Sequence, residues 1–345
     1  MKILLTADPV LPVPPRFYGG IERIVASLIE KLRSRGHVVG LVAHPESSAP
    51  TDYFLGWPHL AARTAMQHMR NMLTLRRATL EFKPTLVHSF SRLLYTLPFL
   101  PGRVAKVMSY QRPTGGRQIS VASKLAGDSL AFTGCSEYIA TMGRPHGGIW
   151  HAIPNFVDTD RYHFSRSVPR NAPLVFLSRI ERIKGVHIAI EVALRTGRRL
   201  VIAGNHAETG PDRVYFDEHV RPLIGKNGIE YIGPVDDAAK ISLLGSALAM
   251  IVPIQWDEPF GIVFAEALAC GTPVISSPRG ALPEIVRPGV DGFLVDSVEA
   301  ACTAAVRVSE LDRGECRRRA EEKFSAEVVT SQYEALYYSL SGAGQ

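Results

Sequence analysis

Short apolar runs rich in Val, Ile and Leu recur through the first half of the chain, at residues 3–7, 38–43, 85–88, 104–109 and 130–134. Stretches with helical spacing and one polar face lie between them, at 21–35 and 64–82. Continuous apolar strands alternating with amphipathic helices predict parallel sheets covered on both faces. The alternation pauses at 155–170, a polar and aperiodic segment, and restarts at 174–178, 200–203, 229–232, 247–252, 273–276 and 293–295. This reads as a linker followed by a second α/β domain. The expected boundaries are 1–160 and 161–324, with an amphipathic helix at about 325–345 packing back on the first domain. Two such domains predict a cleft, because open parallel sheets bind ligands at the carboxyl ends of their strands.

Composition narrows the class. A chain of 345 residues, 46% hydrophobic and 21% charged, can bury two cores without a metal or disulfide. No run approaches the roughly 20 apolar residues of a membrane span; the best, 93–100, is broken by Pro98. The opening residues turn acidic at Asp8, too soon for a signal peptide, so the cytoplasm is the expected location. Cys135, Cys270, Cys302 and Cys316 form no metal-like or CxxC spacing and read as buried free thiols.

Charge is uneven. Residues 1–160 hold 18 Lys and Arg against 10 Asp and Glu, a net of +8, while the whole chain carries only +6. The first domain is expected either to face an anionic phospholipid surface or phosphorylated acceptor, or merely to be a solvated basic face. No aromatic-studded basic motif points to nucleic acid. A peripheral position on the inner face of the membrane is compatible with this bias.

The most informative segment runs from Asp257 through Glu258-Pro259-Phe260-Gly261-Ile262-Val263 to Glu266, then Cys270-Gly271-Thr272-Pro273. It reads as a strand end, a tight turn, a helix closed by Gly271 and a new strand. The first-turn amides near Gly261–Val263 have no partner inside the helix and make an anion site. Glu258 at its mouth and Glu266 along it suit sugar hydroxyls, which a carboxylate accepts in bidentate fashion. A second piece, Arg179-Ile180-Glu181-Arg182-Ile183-Lys184-Gly185, places Arg179 and Lys184 after a strand, where they can neutralise a diphosphate.

Glu-x7-Glu with an upstream Arg-x4-Lys-Gly resembles the retaining glycosyltransferase family four, the group 1 glycosyltransferases of GT-B fold. Ile153-Pro154-Asn155-Phe156-Val157-Asp158 resembles the family's interdomain segment, with Phe156 in place of the usual Gly. Tyr18-Gly19-Gly20-Ile21-Glu22 resembles its N-terminal Gly-Gly loop, and residues 200–204 its L-x-I-x-G strand.

The resemblance implies two Rossmann-like domains facing across a cleft. It implies retaining transfer from a nucleotide diphosphate sugar, by default a UDP-sugar, to an acceptor hydroxyl, with no cofactor. Glu266 would hold the ribose, Glu258 a donor-sugar hydroxyl, and Arg179 and Lys184 the diphosphate. The amides of Phe260, Gly261, Ile262 and Val263 would meet sugar and phosphate, with Gly19 and Gly20 approaching the phosphate. Gly204-Asn205 and Gly233-Pro234 would lie near the base.

Glu22 and Arg23 are expected on the exposed side of their helix. His88 either faces the cleft or is a satisfied strand-end histidine. Gln111 stands where family members carry a histidine and cannot act as a base, so Gln111 and Arg112 are candidates for acceptor or donor contact. Trp256 could stack on an acceptor sugar or pack in the core. A same-face displacement, in which the leaving phosphate oxygen takes the acceptor's proton, needs no enzymic base and no bound metal. Asp158-Thr159-Asp160 reads as structural rather than metal-binding, and Asp236-Asp237 as a helix cap.

The sequence lacks Gly-x-Gly-x-x-Gly after a strand, which disfavours a dehydrogenase. A nucleotide-sugar epimerase, a phosphorylase, or a donor-binding protein with weak catalysis remain as alternatives.

Overall fold

The computed structural model describes residues 1–16 and 19–342. They form two compact units: residues 1–156 with the helix Ala326–Ser341, and residues 157–325.

The first unit is built on a seven-stranded parallel sheet: β1 (Lys2–Thr6), β2 (Val38–Ala43), β3 (Tyr53–Gly56), β4 (Leu86–Ser89), β5 (Ala105–Tyr110), β6 (Leu130–Gly134) and β7 (Ile149–Ala152), ordered 3-2-1-4-5-6-7. Its five central strands coincide with the apolar runs of the sequence. β3 and β7, which the sequence does not announce, are its two edges. Phe54 and Ile149 stand exposed there, so neither edge makes the continuous apolar run that burial on both faces demands.

The second unit carries six parallel strands: β8 (Leu174–Leu177), β9 (Leu200–Ala203), β10 (Ile229–Gly233), β11 (Ala249–Val252), β12 (Val274–Ser276) and β13 (Gly292–Leu294). Their order, 10-9-8-11-12-13, repeats that of the first six strands of unit 1. Both units are therefore Rossmann-like. In each, the strand order reverses once, at β1/β4 and at β8/β11, and ligands bind at such switch points beyond the carboxyl ends.

The chain returns to unit 1 through the helix Ala326–Ser341, which buries Val329, Tyr333, Leu336 and Tyr337. Glu334 holds it down by accepting from His37 Nε2 at 2.7 Å and by pairing with Arg35. Arg35 also donates to the Glu327 carbonyl at 2.9 Å.

Candidate active site

In unit 2 the loops that follow β8 and β11 meet at the switch point. Gly185 has φ 77°, and a Cβ there would lie 2.1 Å from the Pro253 carbonyl oxygen, so only glycine lets the loops touch. The amide of Gln255 donates to the Ile183 carbonyl at 2.7 Å. Across this junction Lys184 Nζ donates to Glu258 Oε2 at 2.5 Å, and both side chains are buried. The same carboxylate oxygen accepts from Trp256 Nε1 at 2.9 Å, and the Lys184 ammonium lies 4.9 Å from the centre of the indole ring. Trp256 is thus held by the carboxylate, half-buried rather than core.

The backbone of Glu258 is pinned from its other side. Its carbonyl accepts from Ala281 at 2.8 Å, and Gly280, at φ 56°, runs so close that a Cβ would meet that oxygen at 2.3 Å. Breaking a buried pair of this kind by removing one partner costs about 3–5 kcal/mol. Arg179, by contrast, turns its guanidinium to Glu181 and is 42% exposed. The sequence reading grouped the two cations; the structure gives each its own acid.

The helix Ile262–Ala269 begins beside this pair. Gly261 precedes it at φ 79°, and no side chain caps it, which leaves its first amides facing outward with the positive end of the helix dipole. Its far end is held by a cation, since Arg317 Nη1 donates to the carbonyls of Ala269 at 2.8 Å and Tyr162 at 2.7 Å. Glu266, buried one turn into the helix, accepts from Tyr162 Oη at 2.6 Å and pairs with Lys240. Burial first, and the Glu266 charge second, push the Tyr162 hydroxyl well above its ordinary pKa, so it donates. Phe260 sends its ring into the core against Phe324, at 5.6 Å between centroids. Its backbone, with that of Ile262 and Val263, is what remains for a ligand.

Gly204 and Gly233 close the neighbouring strand ends, with Gly204 N donating to Gly233 O at 2.8 Å. Gly204 has φ 139°, and a Cβ would sit 1.9 Å from Ser178 O. Asn205 and Pro234 are exposed beside them. Asp236 caps the helix Asp237–Ser246 by accepting from Ala239 N at 2.8 Å, as its position in the sequence predicts.

In unit 1, Gly19 is buried and Gly20 opens the helix Gly20–Ser34. A side chain at Gly19 would meet Pro15 at 2.7 Å and a Glu22 carboxylate oxygen at 2.9 Å. Tyr18 of this motif lies outside the described residues. Glu22 corrects an expectation: it is 5% exposed, not on the solvent face. Its carboxyl turns back over the start of its own helix, and burial, then its own amide and the charge of Asp8, set a net rise in its pKa.

His88 is likewise not an open residue. It is fully buried, its Nδ1 2.6 Å from Tyr337 Oη and its Nε2 2.7 Å from Ser109 Oγ. Burial holds its pKa down at about 3, so the ring is neutral. The second of its two readings, the satisfied histidine, is the one the structure supports, and the partner comes from the returning C-terminal helix. Gln111 accepts from Asn155 Nδ2 at 2.7 Å, and Arg112 is exposed.

Tyr162, Lys240 and Arg317 escaped the sequence reading. A signal was there for two: Tyr162 is one of three aromatics, with Phe156 and Phe164, in a mostly polar linker, and Lys240 is the lone cation of its helix.

Both halves of the chain match families of known proteins. Residues 159–324 match the family described as glycosyl transferases group 1, and residues 18–161 match glycosyltransferase family 4. The chain is 27% identical over 365 residues to the glycogen synthase of Mycobacterium tuberculosis, covering 90% of this chain and 86% of that protein. It is 30% identical over 215 residues to the phosphatidyl-myo-inositol mannosyltransferase of the same organism, covering 56% and 54%. Among solved structures it resembles AviGT4, a glycosyltransferase of avilamycin A biosynthesis, with TM-score 0.72 and 27% identity over 100% of this chain and 98% of that one. It shares a fold with Anabaena HepE, solved with UDP-glucose, at TM-score 0.74 and 20% identity over 98% and 100%. With both halves matched in order and two Rossmann-like units of this topology, the chain belongs to the group 1 glycosyltransferases of family four and has their GT-B fold.

Proposed function

We propose that this glycosyltransferase moves a hexose from a nucleotide diphosphate sugar, a UDP-sugar, to an acceptor hydroxyl with retention at the anomeric carbon. The carrying observation is the buried Lys184–Glu258 pair at the β8/β11 switch point, beside an uncapped helix that also carries Glu266. A cation, outward amides and two carboxylates, one just before the helix and one a turn into it, match a pyrophosphate flanked by two polyols.

In this reading Glu266 takes the ribose hydroxyls and Glu258 a hydroxyl of the donor sugar. Arg179 and Lys184 take the diphosphate, together with the amides of Phe260, Gly261, Ile262 and Val263. Lys184 then serves two anions, so the growing charge on the leaving diphosphate draws it without leaving Glu258 unpaired. Gly204-Asn205 and Gly233-Pro234 border the base. Gly19 and Gly20 give a close backbone approach for the phosphate.

The leaving phosphate oxygen takes the acceptor's proton as the new glycosidic bond forms on the same face. Positioning and charge stabilisation then supply the catalysis, and the reading calls on no metal. Residues 161–324 act as the donor side; residues 1–160 with the terminal helix act as the acceptor side. Gln111, Arg112 and Trp256 are the acceptor candidates. The basic balance of unit 1 favours a phosphorylated or lipid-linked acceptor, met in the cytoplasm or at the inner face of the membrane.

The test is a melting-temperature and hydrolysis panel over UDP-, GDP-, ADP- and TDP-sugars. A UDP-sugar is expected to raise the melting temperature by mass action and to be turned over. Glu266→Gln should remove the shift. If no nucleotide sugar shifts the wild-type protein, the donor reading fails. Donor isomerisation without transfer would mark an epimerase, and phosphate-dependent glycoside cleavage a phosphorylase.

A further inference from the structure

The helix Ala65–Phe82 has two apolar faces, and its packing accounts for only one. Asn71, Leu75, Ala78 and Phe82 are buried and fall within an arc of about 60° at 3.6 residues per turn. This face lies against the sheet, and Phe82 stacks on Tyr53 at 5.3 Å. Met66, Met69, Leu73 and Leu80 occupy a second arc of about 60° on the opposite side. Their exposures are 54%, 41%, 52% and 59%. Solvent would favour polar residues on that side of a surface helix. The stripe runs for about 21 Å along the axis.

Its borders are cationic. Arg70 and Arg77 flank one side and Arg76 the other, all exposed, and Arg63 stands just before the N-cap Thr64. The single acid of the helix, Glu81, is neutralised by Arg77 at 2.6 Å. An apolar stripe edged by arginines matches the interfacial zone of a bilayer, where acyl chains lie beneath anionic headgroups. A second copy of the chain is a poorer match, since a two-fold contact would bring these arginines together.

We propose that this helix is a membrane-docking surface for anionic lipid. Met66, Met69, Leu73 and Leu80 enter the acyl boundary, and Arg63, Arg70 and Arg76 meet the headgroups. The inference extends the reading of unit 1 as the acceptor side, because a lipid-linked acceptor is presented at a bilayer.

The experiment is flotation of the full chain with vesicles of phosphatidylglycerol and phosphatidylcholine, and with phosphatidylcholine alone. Binding is expected on the anionic vesicles only, and it should fall steeply in 0.5 M salt. Arg70→Gln and Arg76→Gln should each weaken partitioning about fivefold. Leu73→Glu should abolish it while leaving the melting temperature and the donor-induced shift unchanged. That control separates failure of this surface from failure of the donor site. The proposal is overturned if the wild-type chain stays with neither vesicle, or if it floats equally with the variants. It is also overturned if sedimentation shows a dimer that Leu73→Glu dissolves, which would assign the stripe to self-association.

Discussion

The two units share one strand order and differ in what fills its switch point. In unit 2 the point between β8 and β11 holds ions: Lys184 on Glu258, with Lys240 on Glu266 nearby. In unit 1 the point between β1 and β4 holds neutral hydroxyls. Thr6 Oγ1 lies 2.9 Å from both Ser89 Oγ and Ser91 Oγ, and those two lie 3.1 Å apart. Behind them, neutral His88 bridges Ser109 and Tyr337.

Topology therefore decides where a ligand can sit, and the loop residues decide what it can be. A hydroxyl cluster is satisfied by its own members and offers no charge. Ion pairs in the same place hold charge that an incoming diphosphate or polyol can exchange.

The sharpest way to break this contrast is to remove charge from the unit 2 site. Glu258→Gln keeps the shape and should lower kcat/KM about 1000-fold, measured as sugar transfer or donor hydrolysis. Retained activity would move the chemistry elsewhere. Gly204→Ala tests the strand-end geometry instead: with Ser178 O in the way, it should cost about 3 kcal/mol in urea unfolding.

In unit 1 the expected signature is pH dependence of folding. His88 has its ordinary pKa near 6.5 when unfolded and about 3 in the fold. The unfolded chain thus binds the extra proton between those values. The stability contributed by neutral His88 is complete above pH 6.5 and drains away as pH falls toward 3, by about 2 kcal/mol between pH 6.5 and 5. His88→Gln should flatten that slope; an unchanged slope would disprove the assignment.

Smaller effects sharpen the comparison further. Lys240→Met should weaken the donor-induced melting shift about tenfold in apparent affinity, because Glu266 loses the cation that orients it. Thr6→Ala should cost about 1 kcal/mol of stability and leave donor affinity alone.

How much of this the sequence revealed follows from burial. Central strands are covered on both faces, so β1, β2, β4, β5 and β6 read as unbroken apolar runs. The edges β3 and β7 do not, for want of a second cover. Glu258, Glu266, Arg179 and Lys184 were legible because turn glycines and prolines punctuate their loops. Their pairing was not, because which lysine reaches which acid depends on contacts between loops about 75 residues apart in sequence. Glu22 was misjudged for a related reason. Its charge suggests solvent, yet it stands three and seven residues before Val25 and Ile29, at the edge of the buried stripe, and the missing side chain of Gly19 leaves room for it to fold back.

The 16-residue helix Ala326–Ser341 completes a sheet whose strands were all synthesised in the first half of the chain. Tyr333 and Tyr337 pack beside His88, together with Phe90 of unit 1. On the ribosome, then, unit 1 must wait with an open flank while unit 2 emerges and closes on itself. The part made first is finished last, and a stop codon a few turns early would leave the nascent domain unsealed.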